Sequence, residues 1–251
     1  MNTQGVDRAN MVACIASLAV FLMGFGCARQ SVSAGARAAT AFGSAIVESS
    51  GAKQIGATEA PLPQPVVVQV NDDQGNAVPA APVSFSGPAG VSFDPASGLT
   101  DSSGQFTTNV TLGGMAGRYQ LRATPTSKAQ TKVELKFDEI ALDYQRRLGQ
   151  ILDEKYCSRC HNPESTPERV SNYDNLEIKP HAFTEGDVLN KISDADLTAI
   201  ISHGGPALNK SPLMPPYGYT LSKSEIQALI AYLRMISDPP YQSPGMTYAQ
   251  K

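Results

Sequence analysis

Residues 144–161, YQRRLGQILDEKYCSRCH, run from an amphipathic pattern into two cysteines and a histidine. Tyr144, Leu148, Ile151 and Leu152 fall at i, i+4, i+7 and i+8, which predicts a helix with one apolar face leading into Cys157-Ser158-Arg159-Cys160-His161. Cys-x-x-Cys-His is the attachment motif of a c-type haem. The spacing has a physical reason. Two thiols three residues apart on one helical turn reach two vinyl groups of a porphyrin and form thioethers, and the adjacent imidazole then points at the iron from below. Other chemistries compete for the same residues. A thioredoxin-like pair calls for a βαβ setting, whereas these surroundings read as helical. A structural zinc site needs four ligands, and the chain has no second Cys-x-x-Cys and no paired histidines. Chance occurrence is the third alternative.

Downstream the pattern stays helical. Thr184 with Asp187, and Ser193 with Asp196, look like caps on short helices ending near Ile192 and Gly204. Ser222 and Glu225 spell a capping box, with Leu221 and Ile226 placed as a hydrophobic staple. Ile226, Leu229, Ile230 and Leu233 then line one face of a last helix, which Pro239-Pro240 stops. A second axial ligand has three sources: His181, His203 or a methionine. Met1, Met11 and Met23 lie in the leader described below, Met115 lies in a β-patterned region, and Met235 sits inside the last helix, where packing is its expected role. His203 closes a helix ahead of Gly204-Gly205, where an imidazole favours the terminal carbonyls without any metal, and His181 lies in a polar connection. Met214 is the choice. It stands in Ser211-Pro212-Leu213-Met214-Pro215-Pro216-Tyr217-Gly218, where prolines restrict the backbone and can hold a thioether toward iron.

With CSRCH, short helices and LMPPYGYTLSKSEIQALIAYLRMI in that order, residues 138–240 closely resemble a small class I cytochrome c. The resemblance implies an all-α fold whose first and last helices cross and enclose one covalently attached haem c. It implies that Cys157 and Cys160 hold the porphyrin, with His161 the proximal and Met214 the distal iron ligand. The family often has an aromatic residue four positions before the first cysteine. Asp153 stands there, so Leu152 or Tyr156 is expected to pack against Tyr232 instead. Leu213, Pro215, Tyr217 and Tyr219 are expected around the pocket, either tyrosine as a propionate donor or as a cover.

Residues 61–137 have a different period. Val66, Val68 and Val70 alternate, as do Val83 and Phe85, then Val91 and Phe93. Phe106, Thr108, Val110 and Leu112 share a face, followed by Tyr119, Leu121 and Ala123, and by Val133, Leu135 and Phe137. Turn formers such as Asp72-Asp73-Gln74-Gly75-Asn76 break these runs every eight to twelve or so residues, which predicts an antiparallel sandwich. VVVQVNDDQGNAVPAAPVSF, GLTDSSGQFTTNVTL and GRYQLRAT resemble bacterial immunoglobulin-like domains of the invasin and intimin type. That resemblance implies a fold, and a role as spacer, adhesion unit or docking surface. The predicted whole is therefore multidomain: an all-β immunoglobulin-like sandwich, then an all-α cytochrome c domain, with a tail over 241–251.

The N-terminal region reads as an export device. Fifteen apolar or small residues, MVACIASLAVFLMGF over 11–25, are short for a membrane span of about 20 residues and match a secretory leader. Cys27 behind Gly24-Phe25-Gly26 resembles the lipoprotein box of bacterial exported proteins, implying a signal peptide over 1–27 and an acylated Cys27 that anchors the protein to a membrane. Ordinary cleavage after Val32-Ser33-Ala34 is the alternative. Residues 28–60, dominated by Ala, Ser, Gly and Thr, are expected to be a flexible linker. Removing the leader also takes Cys14, so Cys157 and Cys160 are the only cysteines of the body.

The chain has 251 residues and a formal net charge of −3, which offers no basic surface to phosphates and excludes nucleic acid as a partner class. A His/Met ligand set suits electron transfer over oxygen chemistry. The expected function is that of a monohaem electron carrier in the bacterial periplasm or cell envelope, not an enzyme. Its expected partners are redox proteins or a membrane oxidoreductase complex. Two other classes stay open: an envelope adhesion or assembly protein with an accessory haem, and a haem enzyme or sensor with a displaceable Met214.

Overall fold

The computed structural model describes residues 42–127, 133–165 and 170–242. The leader, Cys27 and the residues to 41 lie outside these. Two sheets face each other. One runs β1 (Ala45–Ser50), β3 (Val66–Asn71), β7 (Gln105–Thr111), β5 (Ser92–Asp94). The other runs β2 (Ile55–Ala57), β9 (Leu135–Leu142), β8 (Gly117–Pro125), β4 (Pro82–Ser86), β6 (Ser97–Leu99). Pairings are antiparallel except β2 on β9.

The alternating residues do face inward. Val66, Val68, Val70, Val83, Phe85, Phe106, Val110, Leu112, Tyr119, Leu121, Ala123 and Phe137 are all buried in one core. The ring of Phe85 lies 5.6 Å from that of Phe93 and 5.9 Å from that of Phe106, centroid to centroid. Asp72 closes its turn by accepting from the backbone N–H groups of Gln74 and Asn76 at 2.9 and 2.8 Å, the Asx geometry expected of that residue.

The linker boundary is corrected. β1 and β2 both fall within 28–60, so the described part of that segment belongs to the sandwich. Within it the sandwich core takes one buried apolar anchor, Ile46, with Ala52 partly buried against it, and the backbone pairing of β1 with β3 supplies the rest. The C-terminal boundary moves too, because β9 continues to Leu142.

Among the described residues five helices follow: α1 (Tyr144–Tyr156), α2 (Ser158–His161), α3 (Gly186–Leu189), α4 (Asp194–His203) and α5 (Lys223–Ile236), with 3₁₀ turns at Tyr173–Asn175 and Gly205–Leu208. Asp143 caps α1 by accepting from the N–H of Arg146 at 2.9 Å, so strand passes to helix across one residue. Ser193 caps α4 and the Ser222–Glu225 capping box opens α5, as expected. Thr184 caps nothing: α3 starts at Gly186 and closes by Leu189. Among the described residues no helix is long and apolar enough to cross a membrane.

α1 meets α5 on part of the expected face: Leu148 and Leu152 pack on the helical core, the other two do not. Tyr144 and Ile151 are exposed, while Gly149, Leu152 and Asp153 are buried. The reason is Gly149, which lets the helices touch backbone to backbone: a Cβ there would lie 2.1 Å from the Ala228 carbonyl oxygen. The helical core also takes in Ile140 and Leu142 from β9, so the sandwich's last strand contributes to both cores. Arg118 on β8 adds a bond from its guanidinium to the Ser237 carbonyl at 3.1 Å, just past α5.

Candidate haem site

Cys157, Cys160 and His161 come together where α1 ends. The N–H of Cys157 donates to Asp153 O at 2.9 Å, and its carbonyl accepts from the N–H groups of Cys160 and His161 at 3.0 and 3.1 Å. α2 is therefore a single turn presenting two thiols and an imidazole. Both thiols are half-buried and not joined to each other. Burial pushes the Cys157 thiol up to about 12, and Asp153 and Cys160 add to the rise. A thiol–disulfide centre needs the opposite shift, toward thiolate. Among the described residues no three His, Cys, Asp or Glu side chains are placed to hold a metal ion by themselves.

The imidazole is prepared to bind a metal. His161 Nδ1 lies 3.1 Å from the carbonyl oxygen of His181. A carbonyl only accepts, so Nδ1 carries the proton and Nε2 keeps its lone pair for a metal. The ring stacks on Phe183, centroids 4.2 Å apart at 13°. Burial lowers the His161 pKa, against a smaller opposing effect of the His181 carbonyl, which favours the neutral ring that a metal ligand needs. Phe183 and the backbone of His181 had no signal in the sequence, since neither lies in a spaced motif. The His181 ring itself is exposed and pairs with Glu185 at 2.7 Å.

Met214 is half-buried and packs on the same core as Cys157, Phe183 and Tyr217. Its loop is tied to the end of α1 by Tyr217, whose hydroxyl donates to the Tyr156 carbonyl at 2.9 Å, with ring centroids 5.7 Å apart. Of the two roles expected for Tyr217, propionate donor or cover, this bond to the protein favours the second. Tyr219 is fully exposed and Leu213 and Pro215 are exposed, so of the four residues expected to line the pocket only Tyr217 packs into the core. Tyr232 is buried on α5 in the same core as Leu152 and Tyr156, and it also approaches α1 at Gly149.

Comparison with known proteins bears on both regions. Residues 63–138 match the family model described as bacterial Ig-like domain (group 1). Residues 145–233 match the model described as cytochrome C oxidase, cbb3-type, subunit III. The immunoglobulin-like and cytochrome c resemblances drawn from the sequence are therefore met by family models, and neither model reaches the lipoprotein-like leader. Similar solved structures include the D0-D1 domain of intimin, at 18% identity over 41% of this chain and 49% of that one, with a TM-score of 0.31. Another is the Yersinia pseudotuberculosis adhesin InvE, at 15% identity over 39% of this chain and 31% of that one, with a TM-score of 0.31. The Escherichia coli adhesin FdeC gives 18% identity over 39% and 30%, with a TM-score of 0.27. The chain spans about half the length of the intimin fragment it matches. No curated protein matches it.

Proposed function

We propose that the protein is an exported, membrane-tethered monohaem c-type cytochrome that passes single electrons between redox partners. The observation that carries this is the locked imidazole: His161 with Nδ1 held by a carbonyl, one turn from two free thiols. Cys157 and Cys160 would hold the porphyrin, and His161 and Met214 would fill the axial positions. The haem, when bound, supplies a one-electron couple, and filled axial positions favour electron transfer over oxygen chemistry. The chain's own residues fix the imidazole's tautomer, keep it neutral and bury one side of the site against α1 and α5. The matching cytochrome model is described as subunit III of a cbb3-type cytochrome C oxidase, which supports an oxidoreductase complex as the partner class. The sandwich, whose strand β9 gives residues to both cores, is a mount for the helical region. Tethering through Cys27 and an extracytoplasmic location belong to the same reading.

The test is an equilibrium redox titration of full chain matured with c-type haem. One n = 1 wave with a low-spin spectrum in both oxidation states is expected. A high-spin iron, or sustained peroxide turnover, would overturn the carrier role.

A further inference from the structure

We propose that Gly204 and Gly205 are positioning residues for the Met214 thioether, an inference that rests on Met214 as the distal ligand. The loop that carries Met214 is also the cap of α4. Helix ends leave their last four carbonyls without helical partners. In α4, Ile200 O accepts from the N–H of Gly204 at 2.9 Å. Ile201 O and Ser202 O accept from the N–H groups of Tyr217 and Gly218, both at 2.9 Å. The residues beyond Met214 are thus hung on the helix end.

Met214 itself is held from the other side. Gly205 N donates to the Met214 carbonyl at 3.0 Å, and the Gly205 carbonyl accepts from the N–H of Lys210 at 2.9 Å. Neither glycine has room for a side chain. A Cβ on Gly204 would lie 2.7 Å from Met214 O and 3.1 Å from Pro216 N, and one on Gly205 would lie 2.0 Å from Ser211 O. Gly204 also sits at φ 81° and ψ 177°, a region open almost only to glycine. Pro212, Pro215 and Pro216 have no N–H, so the loop has few donors of its own and depends on these external bonds. A neutral thioether is a weak ligand. Its bond to iron therefore depends on how well the chain pre-places it, and the glycine pair is what does so here.

The experiment uses the full, haem-loaded chain and compares Gly204→Ala, Gly205→Ala and Met214→Leu with the parent. Covalent haem is read after denaturation. The sulfur-to-iron charge-transfer band, the midpoint potential and imidazole binding are read in the native state. Gly204→Ala is expected to keep its covalent haem, lose the band and drop in potential toward Met214→Leu, because Met/His ligation is what raises it. Imidazole should bind at about tenfold lower concentration, since the competing thioether is seated less of the time. Gly218→Ala, whose Cβ would lie 2.8 Å from Ser202 O, is the gentler variant should the first not fold, and is expected to weaken the band partly. Band and potential unchanged in the glycine variants but lost in Met214→Leu would overturn the positioning role alone. A band that survives Met214→Leu would instead overturn the ligand assignment, and this inference with it.

Discussion

Replacing Gly149 by alanine places a methyl group 2.1 Å from the Ala228 carbonyl oxygen and 2.7 Å from Tyr232 Cβ. Non-bonded heavy atoms settle near 3.5–4.0 Å, so α1 and α5 must part by about 1 Å or more. A gap of that size forfeits about a quarter to a half of the dispersion attraction across the seam. The seam is the centre of the helical core, where Leu152, Leu229, Tyr232 and Leu233 are all buried. Overpacking of this kind costs about 1–3 kcal/mol, and a backbone clash belongs at the upper end. Alanine returns about 0.5–1 kcal/mol through its better helix propensity. The net expectation is a loss of about 2 kcal/mol. In urea unfolding of the full chain followed by far-ultraviolet circular dichroism, that is a midpoint lower by about 1 M at a slope of about 2 kcal/mol per M. Gly117→Ala on β8, where a Cβ meets nothing within 4 Å, is the matched control and should stay near the parent. A Gly149→Ala midpoint at or above the parent's would refute the claim that glycine sets the helix crossing.

Leu142 lies on β9 yet is fully buried in the helical core, so Leu142→Ala should cost about 2–5 kcal/mol. Because that strand also serves the sandwich, fluorescence and circular dichroism should move together, and a helical transition that leaves the sandwich signal untouched would count against a shared core. Glu139 is fully buried on β9, and desolvation pushes its carboxyl up to about 8, with Glu48 and Asp138 adding to the rise against hydrogen bonds from the backbone of Gln54 and Lys53. Between its ordinary 4.5 and about 8 the unfolded chain gives up a proton that the folded chain keeps. Stability is thus greatest at the acid end of that window, declines by up to about 1.4 kcal/mol per pH unit as pH rises, and levels off above it. Glu139→Gln should flatten the decline, and urea midpoints that fall equally in both proteins would reject Glu139 as the cause. Asp143→Ala removes the cap of α1 and should cost about 1 kcal/mol by the same assay, with no loss counting against the cap.

How far the sequence could be read depended on whether a residue acts through its side chain. Alternation in β3, β7 and β8 announced the sandwich because period-two burial is written in large apolar residues. Cys157, Cys160 and His161 stood out because their spacing is that of a haem-attachment motif. The Ser193 cap and the Ser222–Glu225 box were legible because capping uses specific side-chain oxygens. What escaped works through backbone. β1 and β2 join the sheets by main-chain pairing under an Ala- and Ser-rich cover. Gly149 sets the α1–α5 contact by lacking a side chain, so an apolar-face count chose Tyr144 and Ile151, which are exposed. The carbonyl of His181 orients His161, and any residue there could offer one. Tyr217 was expected as a propionate donor or a cover, and its hydroxyl partner in the structure, the Tyr156 carbonyl, is one that no pattern marks.

The most direct measurement is a pyridine haemochrome spectrum of denatured protein made alongside a c-type haem maturation system. One covalently bound haem per chain, lost when Cys157 and Cys160 are both replaced by serine, is the expected result. Apoprotein from cells that mature a control cytochrome would contradict it, and Cys157, Cys160 and His161 would then have to serve another chemistry.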